Sequence, residues 1–176
     1  MRLCGGPHAP VRARSGQSPL VLFLCRQNTS ASVMAKAILR HFAQERLRAA
    51  NAGESATDRV NSHALECLRA HGIETEGLQG KAWGEFFGLD RPPVRFVIAL
   101  GDVYAAKANW PHDTLIAHWP MPDPADVVGS ETDIQLAFEE AYGTLHARIH
   151  RFLSLPLAQL DDRALLHELE RIGERS

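Results

Sequence analysis

Cysteine is scarce in this chain of 176 residues, which contains three cysteines at positions 4, 25 and 67. An odd number of widely spaced cysteines excludes the disulfide framework of small secreted proteins. Free thiols are typical of a reducing compartment, so the sequence predicts a cytoplasmic location.

The chain also lacks an excess of charge of either sign, with a net charge of −2 and a pI near 6.5. This balance excludes a general basic surface for nucleic acid or an anionic membrane, although it allows a local anion site. The sequence contains no apolar run of membrane-spanning length. We therefore expect small anions or proteins as partners, with no nucleic acid and no membrane, while the oligomeric state stays open.

With 45% hydrophobic residues, the chain can bury a core without disulfides or metal. We expect one domain over residues 19–176. Residues 1–18 carry arginine, glycine and proline, no acidic residue and no apolar core of a signal peptide. They predict a flexible N-terminal extension, and a weaker alternative is that its arginines bind nucleic acid or membrane.

One stretch combines a strand, a polar loop and a helix. An apolar run over residues 19–24 ends at Cys25, and apolar residues at helical spacing resume at Val33. This pattern predicts a buried parallel strand that leads through a loop to a helix N-terminus. Backbone amides there suit a tetrahedral oxyanion and lower the pKa of a thiol. Besides Cys25, the predicted anion-binding positions are Arg26, Gln27, Asn28, Thr29, Ser30 and Ala31.

The rest of the chain alternates helical and strand patterns. Helices are predicted from the loop to about residue 48, over 62–72, over 130–152 and over 161–172. Ser62, Ser130 and Asp161 are the predicted helix caps. Strands are predicted over 94–100 and 114–119, separated from the earlier elements by a short turn or helix over 81–87. This order predicts an α/β fold with right-handed crossovers.

The residues Val21 to Cys25, Asn28-Thr29, Ser32 and Met34-Ala35 resemble the phosphate-binding loop of low-molecular-weight protein tyrosine phosphatases and of the arsenate reductases that share their fold. The resemblance extends over residues 20–152. It implies a three-layer α/β/α sandwich with a four-stranded parallel sheet in the order 2-1-3-4, and a second strand ending at residues 50–53.

The resemblance also implies roles for individual residues. Cys25 would attack phosphate, arsenate or a phosphotyrosine-like anion, and Ser32 would stabilise its thiolate. Asn28 would brace the loop, and Asp123 would be the general acid. The residues alone leave alternatives open, since a serine in the first turn caps a helix and an aspartate beside proline often binds local amides.

One position departs from the family motif of a cysteine, five residues, an arginine and a serine or threonine. Ala31 stands where the arginine is expected. Arg26 follows Cys25 directly and projects differently, so it is a poor substitute. Two hypotheses remain: a phosphatase or arsenate-reductase-like enzyme with impaired catalysis, and a catalytically inactive oxyanion- or phosphoprotein-binding regulatory module.

The other thiols and histidines favour structural roles. Residues 99–111 contain no second cysteine of the kind used by arsenate reductases of this fold, so no internal thiol relay is expected. Cys67 lies on an apolar helix face, which predicts a buried thiol that does not pair with Cys25. His146 and His150 are one turn apart without a third ligand and predict a solvated helix face. We expect no metal and no cofactor.

Overall fold

The computed structural model describes residues 16–27, 29–55, 57–87 and 93–175, except for the side chain of Ala105. In these ranges the strands are β1 (Leu20–Cys25), β2 (Arg48–Gly53), β3 (Val94–Ala99) and β4 (Leu115–His118). The α-helices are α1 (Ala31–Ala43), α2 (Ser62–Ala70), α3 (Glu131–Leu153) and α4 (Asp162–Glu174). Short 3-10 helices lie at Trp83–Phe86, Tyr104–Lys107 and Pro124–Asp126.

The four strands form one parallel sheet in the order β2-β1-β3-β4, which confirms the predicted fold and strand order. Cys25 is paired with Gly53 at the end of β1, and Leu24 is paired with Ala99 near the end of β3. The strands therefore end together, and the loops that follow β1 and β3 meet at one edge of the sheet. In parallel α/β sheets this edge is where ligands bind.

Alternate side chains of β1 enter two separate cores. Val21 and Phe23 pack with the α-helices, while Leu20, Leu22 and Leu24 face the other side of the sheet. That second side is covered by Trp83 and neighbouring aromatic residues of the short 3-10 segments rather than by long helices. A strand buried on both faces explains why β1 is an unbroken apolar run.

Two predicted boundaries were wrong. Helix α1 ends at Ala43 rather than near residue 48, because Gln44 has a φ of 53° and leaves the helical conformation. The chain then enters β2 at Arg48. Asn61, not Ser62, caps α2, since its side chain accepts a hydrogen bond from the His63 amide at 2.9 Å. The caps predicted at Ser130 and Asp161 are confirmed.

The end of β4 is held by unusually close contacts. Trp119 donates its indole N–H to the Leu169 carbonyl of α4 at 2.8 Å. A Cβ atom on Gly173 would lie 2.0 Å from the His118 carbonyl oxygen, so only glycine allows α4 to approach so closely. None of the helices in the described ranges combines the length and apolar character that crossing a membrane requires.

Candidate active site

A cavity of about 310 Å³ lies at the edge where β1 and β3 end. It brings together the loop after β1, the segment after β3 and the loop after β4. Its lining residues are Cys25, Arg26, Gln27, Ala31, Leu100, Gly101, Asp102, Val103, Met121, Pro122, Asp123 and Asp126. The predicted nucleophile and the predicted general acid therefore share one cavity, although they are far apart in sequence.

Cys25 is the last residue of β1 and is 5% exposed. Its Sγ lies 2.9 Å from Oγ of Ser32, a fully buried residue in the first turn of α1. A hydroxyl at this distance can donate to a thiolate. Ser30 is the N-cap residue of α1, and its side chain forms no capping hydrogen bond. Ser32 contacts the sulfur, and its stabilisation of the thiolate stays a prediction.

The loop after β1 is anchored from outside. The Ser55 amide donates to the Arg26 carbonyl and the Asn61 amide donates to the Thr29 carbonyl, both at 2.9 Å. The Ser30 carbonyl accepts the first hydrogen bond of α1 from Met34. These contacts fix the loop against β2 and α2. Asn28 lies outside the described residues, so its bracing role stays a prediction.

The position of the missing arginine is part of the cavity wall. Ala31 is the first residue of α1, is 3% exposed and lines the cavity. Among the described residues that line the cavity, Arg26 is the only one with a cationic side chain, and three aspartates lie at positions 102, 123 and 126. The wall is therefore less favourable to a dianion than a loop that carries a guanidinium.

Asp123 has features of both roles that the sequence allowed, that of a general acid and that of an aspartate that binds local amides. It is the N-cap of the Pro124–Asp126 turn, and its side chain accepts a hydrogen bond from the Ala125 amide at 3.0 Å. Burial raises the pKa of Asp123 above its usual range, with a smaller contribution from Asp126, while the Ala125 hydrogen bond opposes the shift. A carboxyl group that retains its proton to higher pH suits a general acid.

Arg148 supports the loop that carries Asp123, a role that sequence reasoning missed. This buried side chain donates hydrogen bonds to the carbonyls of Trp119, Pro120 and Gly173 at 3.0, 3.1 and 2.9 Å. It thereby joins α3 to the start of the loop and to α4. The sequence did offer one sign of this buried role, because Arg148 lies beside Leu145 and Ile149 of the apolar stripe of α3.

The remaining predicted residues lie elsewhere. Cys67 is 6% exposed on α2, which confirms its burial, and neither Cys25 nor Cys67 is in a disulfide. Burial, together with Glu139, raises the pKa of Cys67 to about 12. His146 and His150 pack against Phe42, with ring centroids 5.2 and 4.6 Å from its ring.

A family model described as low molecular weight phosphotyrosine protein phosphatase matches residues 20–164. This range contains the loop after β1, Asp123 and the first three helices. Among curated protein sequences, none matches the chain.

Solved structures share the fold at low sequence identity. An arsenate reductase in the phosphate-binding state has a TM-score of 0.61 and 20% identity, over 77% of this chain and 97% of that one. The tyrosine phosphatase Wzb from Escherichia coli K30, solved with sulphate, has a TM-score of 0.58 and 17% identity, over 78% and 97%. For the thioredoxin-dependent arsenate reductase of Corynebacterium glutamicum the TM-score is 0.55 and the identity 23%, over 75% of this chain and 60% of that protein.

Proposed function

Because the chain belongs to the family of low molecular weight phosphotyrosine protein phosphatases, we propose that it is a thiol-dependent phosphatase of low turnover. The substrate class is a phosphate monoester, with a phosphotyrosine-like anion as the expected form. A nucleophilic thiol must stay reduced, so we expect the protein to act in the cytoplasm.

The observation that carries this proposal is the pair formed by Cys25 Sγ and Ser32 Oγ at 2.9 Å, in the cavity that Asp123 also lines. In the proposed first step, the Cys25 thiolate forms a sulfur–phosphorus bond while the bond to the leaving oxygen breaks. Asp123 gives its proton to that oxygen.

In the second step, the Asp123 carboxylate takes a proton from a water molecule that attacks the phosphorus. The sulfur–phosphorus bond breaks and phosphate leaves. Ser32 donates a hydrogen bond to the departing thiolate and lowers the cost of its negative charge. The cycle returns both Cys25 and Asp123 to their starting protonation states, so it needs no cofactor and no reductant.

Low turnover follows from Ala31. A methyl group cannot stabilise the charge that develops on the transferring phosphoryl group, and removal of one preorganised donor of this kind costs about 3 to 4 kcal/mol, or roughly a hundredfold to a thousandfold in rate. Arg26 lines the cavity but is exposed, whereas the three aspartates oppose a dianion. Anion binding by the backbone amides should be reduced less than catalysis.

A phosphatase is favoured over an arsenate reductase because reduction needs a second thiol. The segment after β3 that lines the cavity contains no cysteine, and Cys67 hydrogen-bonds to α3 instead. Reduction of arsenate by this chain would therefore require a thiol from another molecule.

Ala31 also favours a second candidate, an inactive module that binds an oxyanion or a phosphoprotein through the backbone amides of the loop. The two candidates differ in turnover. We expect hydrolysis of p-nitrophenyl phosphate by the wild type to be slow but faster than by Cys25→Ser. Ala31→Arg should raise kcat/KM at least about tenfold if the rest of the site is competent.

The Asp123→Asn variant tests the proton donor. Because burial keeps Asp123 protonated to a higher pH than usual, kcat of the wild type should decline as pH rises through this raised pKa. This decline of kcat at higher pH should be missing from the pH profile of Asp123→Asn. If the wild type is no faster than Cys25→Ser and a folded Ala31→Arg variant gains nothing, the enzyme proposal fails and the binding module is the better account.

A further inference from the structure

Three metal-ligating side chains meet away from the Cys25 cavity. Cys67 lies on α2, and His71 directly follows that helix, one turn later. Glu139 reaches both residues from α3. Within the part of the chain that the structure describes, they form the only group of this kind, with one ligand atom from each residue and all three atoms within 4.8 Å of one another.

Glu139 contacts both of its neighbours. Its Oε1 accepts a hydrogen bond from the Cys67 thiol at 3.4 Å, and its Oε2 lies 2.8 Å from Nε2 of His71. The ligand atoms of a tetrahedral zinc ion with the usual bond lengths lie about 3.3 to 3.7 Å apart. The three side chains would therefore need to move only slightly to bind one ion.

The imidazole of His71 is held by an aromatic neighbour. Its ring stacks on Tyr142 of α3, with centroids 3.7 Å apart and planes within 8°. This contact presents the His71 edge to Glu139 rather than leaving the ring free to rotate. Orientation of a histidine by surrounding groups is what metal sites commonly use to raise affinity.

A cavity of about 220 Å³ adjoins two of the three residues, Cys67 and Glu139, and offers room for a fourth ligand. Cys67, Glu139 and His63 line it. Nδ1 of His63 is buried and forms no hydrogen bond, and the carboxylates of Glu131 and Glu66 are 3.5 and 3.9 Å from it. His71 and Glu139 are partly exposed, so an ion can enter from solvent.

We propose that Cys67, His71 and Glu139 bind Zn²⁺ through one sulfur, one nitrogen and one oxygen, with the fourth position open to the cavity that His63 lines. This mixed set of a thiolate, an imidazole and a carboxylate suits zinc rather than magnesium or calcium, which take oxygen ligands. Three protein ligands and an open position are typical of sites that bind water or an external ligand.

Binding requires the loss of the Cys67 proton, because the thiolate is the metal ligand. Zn²⁺ displaces that proton to solvent and forms a zinc–sulfur bond, and no electron is transferred. The ion would also replace the hydrogen bonds that now connect α2 to α3. It should therefore stabilise the folded chain, since an ion that binds only the folded state shifts the unfolding equilibrium.

Cobalt provides a direct test, because Co²⁺ replaces zinc and absorbs in the near ultraviolet when a thiolate binds it. The full chain carrying Cys4→Ser and Cys25→Ser retains Cys67 as its single thiol. We expect it to bind one Co²⁺ with the sulfur charge-transfer band, and Zn²⁺ to abolish that band by displacement. Zn²⁺ should raise the unfolding temperature of the same protein.

Two variants in this background locate the site. Glu139→Gln should weaken Zn²⁺ binding at least about a hundredfold, since loss of an indirect partner alone costs about 10- to 100-fold. Glu140→Gln, the matched change at the exposed neighbouring residue, should leave it unchanged. Circular dichroism checks that each variant folds. Absence of the charge-transfer band at millimolar Co²⁺, or equal affinities of the Glu139 and Glu140 variants, would overturn the proposal.

Discussion

Cys25 and Cys67 are both buried thiols, 5% and 6% exposed, yet their surroundings differ. Cys25 ends a strand, faces a cavity and lies beside the hydroxyl of Ser32. Cys67 lies between two helices, and its thiol donates a hydrogen bond to the carboxylate of Glu139. A neutral hydroxyl can donate to a thiolate, whereas an ionised carboxylate cannot. Since the two thiols are buried to a similar extent, the hydrogen-bond partner is the difference that separates a candidate nucleophile from a thiol that holds its proton.

The largest expected effect is on thiol alkylation. Burial, together with the Glu139 hydrogen bond, raises the pKa of Cys67 to about 12 from 9.0, so iodoacetamide should modify it about a thousandfold more slowly than a free cysteine at pH 8. Cys25 should react faster than Cys67. Peptide mass spectrometry over time, with a chelator present, measures both rates.

Phosphate is the control for that experiment, because an anion in the Cys25 cavity should slow alkylation of Cys25 and leave Cys67 unaffected. Equal modification of the two thiols in the folded protein would mean that the comparison drawn from their partners is wrong.

The next effect concerns Arg148, which supports the Cys25 side of the molecule. Arg148→Met would leave the carbonyls of Trp119, Pro120 and Gly173 without this donor. We expect the free energy of unfolding to fall by about 3 kcal/mol, because each buried acceptor left unsatisfied is costly. Urea unfolding measures this loss.

Arg151→Met is the matched control, since Arg151 is exposed on the same helix. Its effect should stay within about 0.5 kcal/mol. Equal losses in the two variants would show that the three carbonyl contacts do not stabilise the loop.

The Glu139→Gln variant separates the contribution of Glu139 to the Cys67 pKa from that of burial. The substitution removes a negative charge and a carboxylate acceptor, both of which raise the pKa of Cys67, but it leaves the burial that contributes most. The thiol pKa should therefore fall but stay above its ordinary value, and the alkylation rate of Cys67 should rise by roughly tenfold. The Cys25 rate should not change. An unchanged Cys67 rate would assign the whole shift to burial.

The smallest effect is expected at Asn61, the residue that connects the two regions. Its side chain caps α2, which carries Cys67, and its amide donates to the Thr29 carbonyl of the Cys25 loop. Asn61→Ala keeps the amide and removes the cap, so the free energy of unfolding should fall by about 1 kcal/mol. Thermal unfolding checks this value, with Ser62→Ala as the neighbouring control. A larger effect of Ser62→Ala would restore the cap predicted from the sequence.

Local chemistry alone determined much of this protein. The apolar run that ends at Cys25, the polar loop and the helical stripe after it determined a strand, a turn and a helix, because each pattern suits one backbone geometry. The helix caps at Ser130 and Asp161 were also predictable from the sequence, since each side chain binds a backbone amide three residues further along the chain. The second strand, the strand order and the candidate acid Asp123 came from the family resemblance.

Tertiary structure decided what depends on residues far apart in the chain. Periodicity could not show that α1 ends at Ala43, because the chain must turn at Gln44 to enter β2. It could not pair Cys67 with Glu139 or show that Arg148 holds the loop before Asp123. These contacts exist because parallel strands end at a common edge and α2 packs on α3. Sequence spacing determines which face a residue occupies, but only packing determines what that face meets.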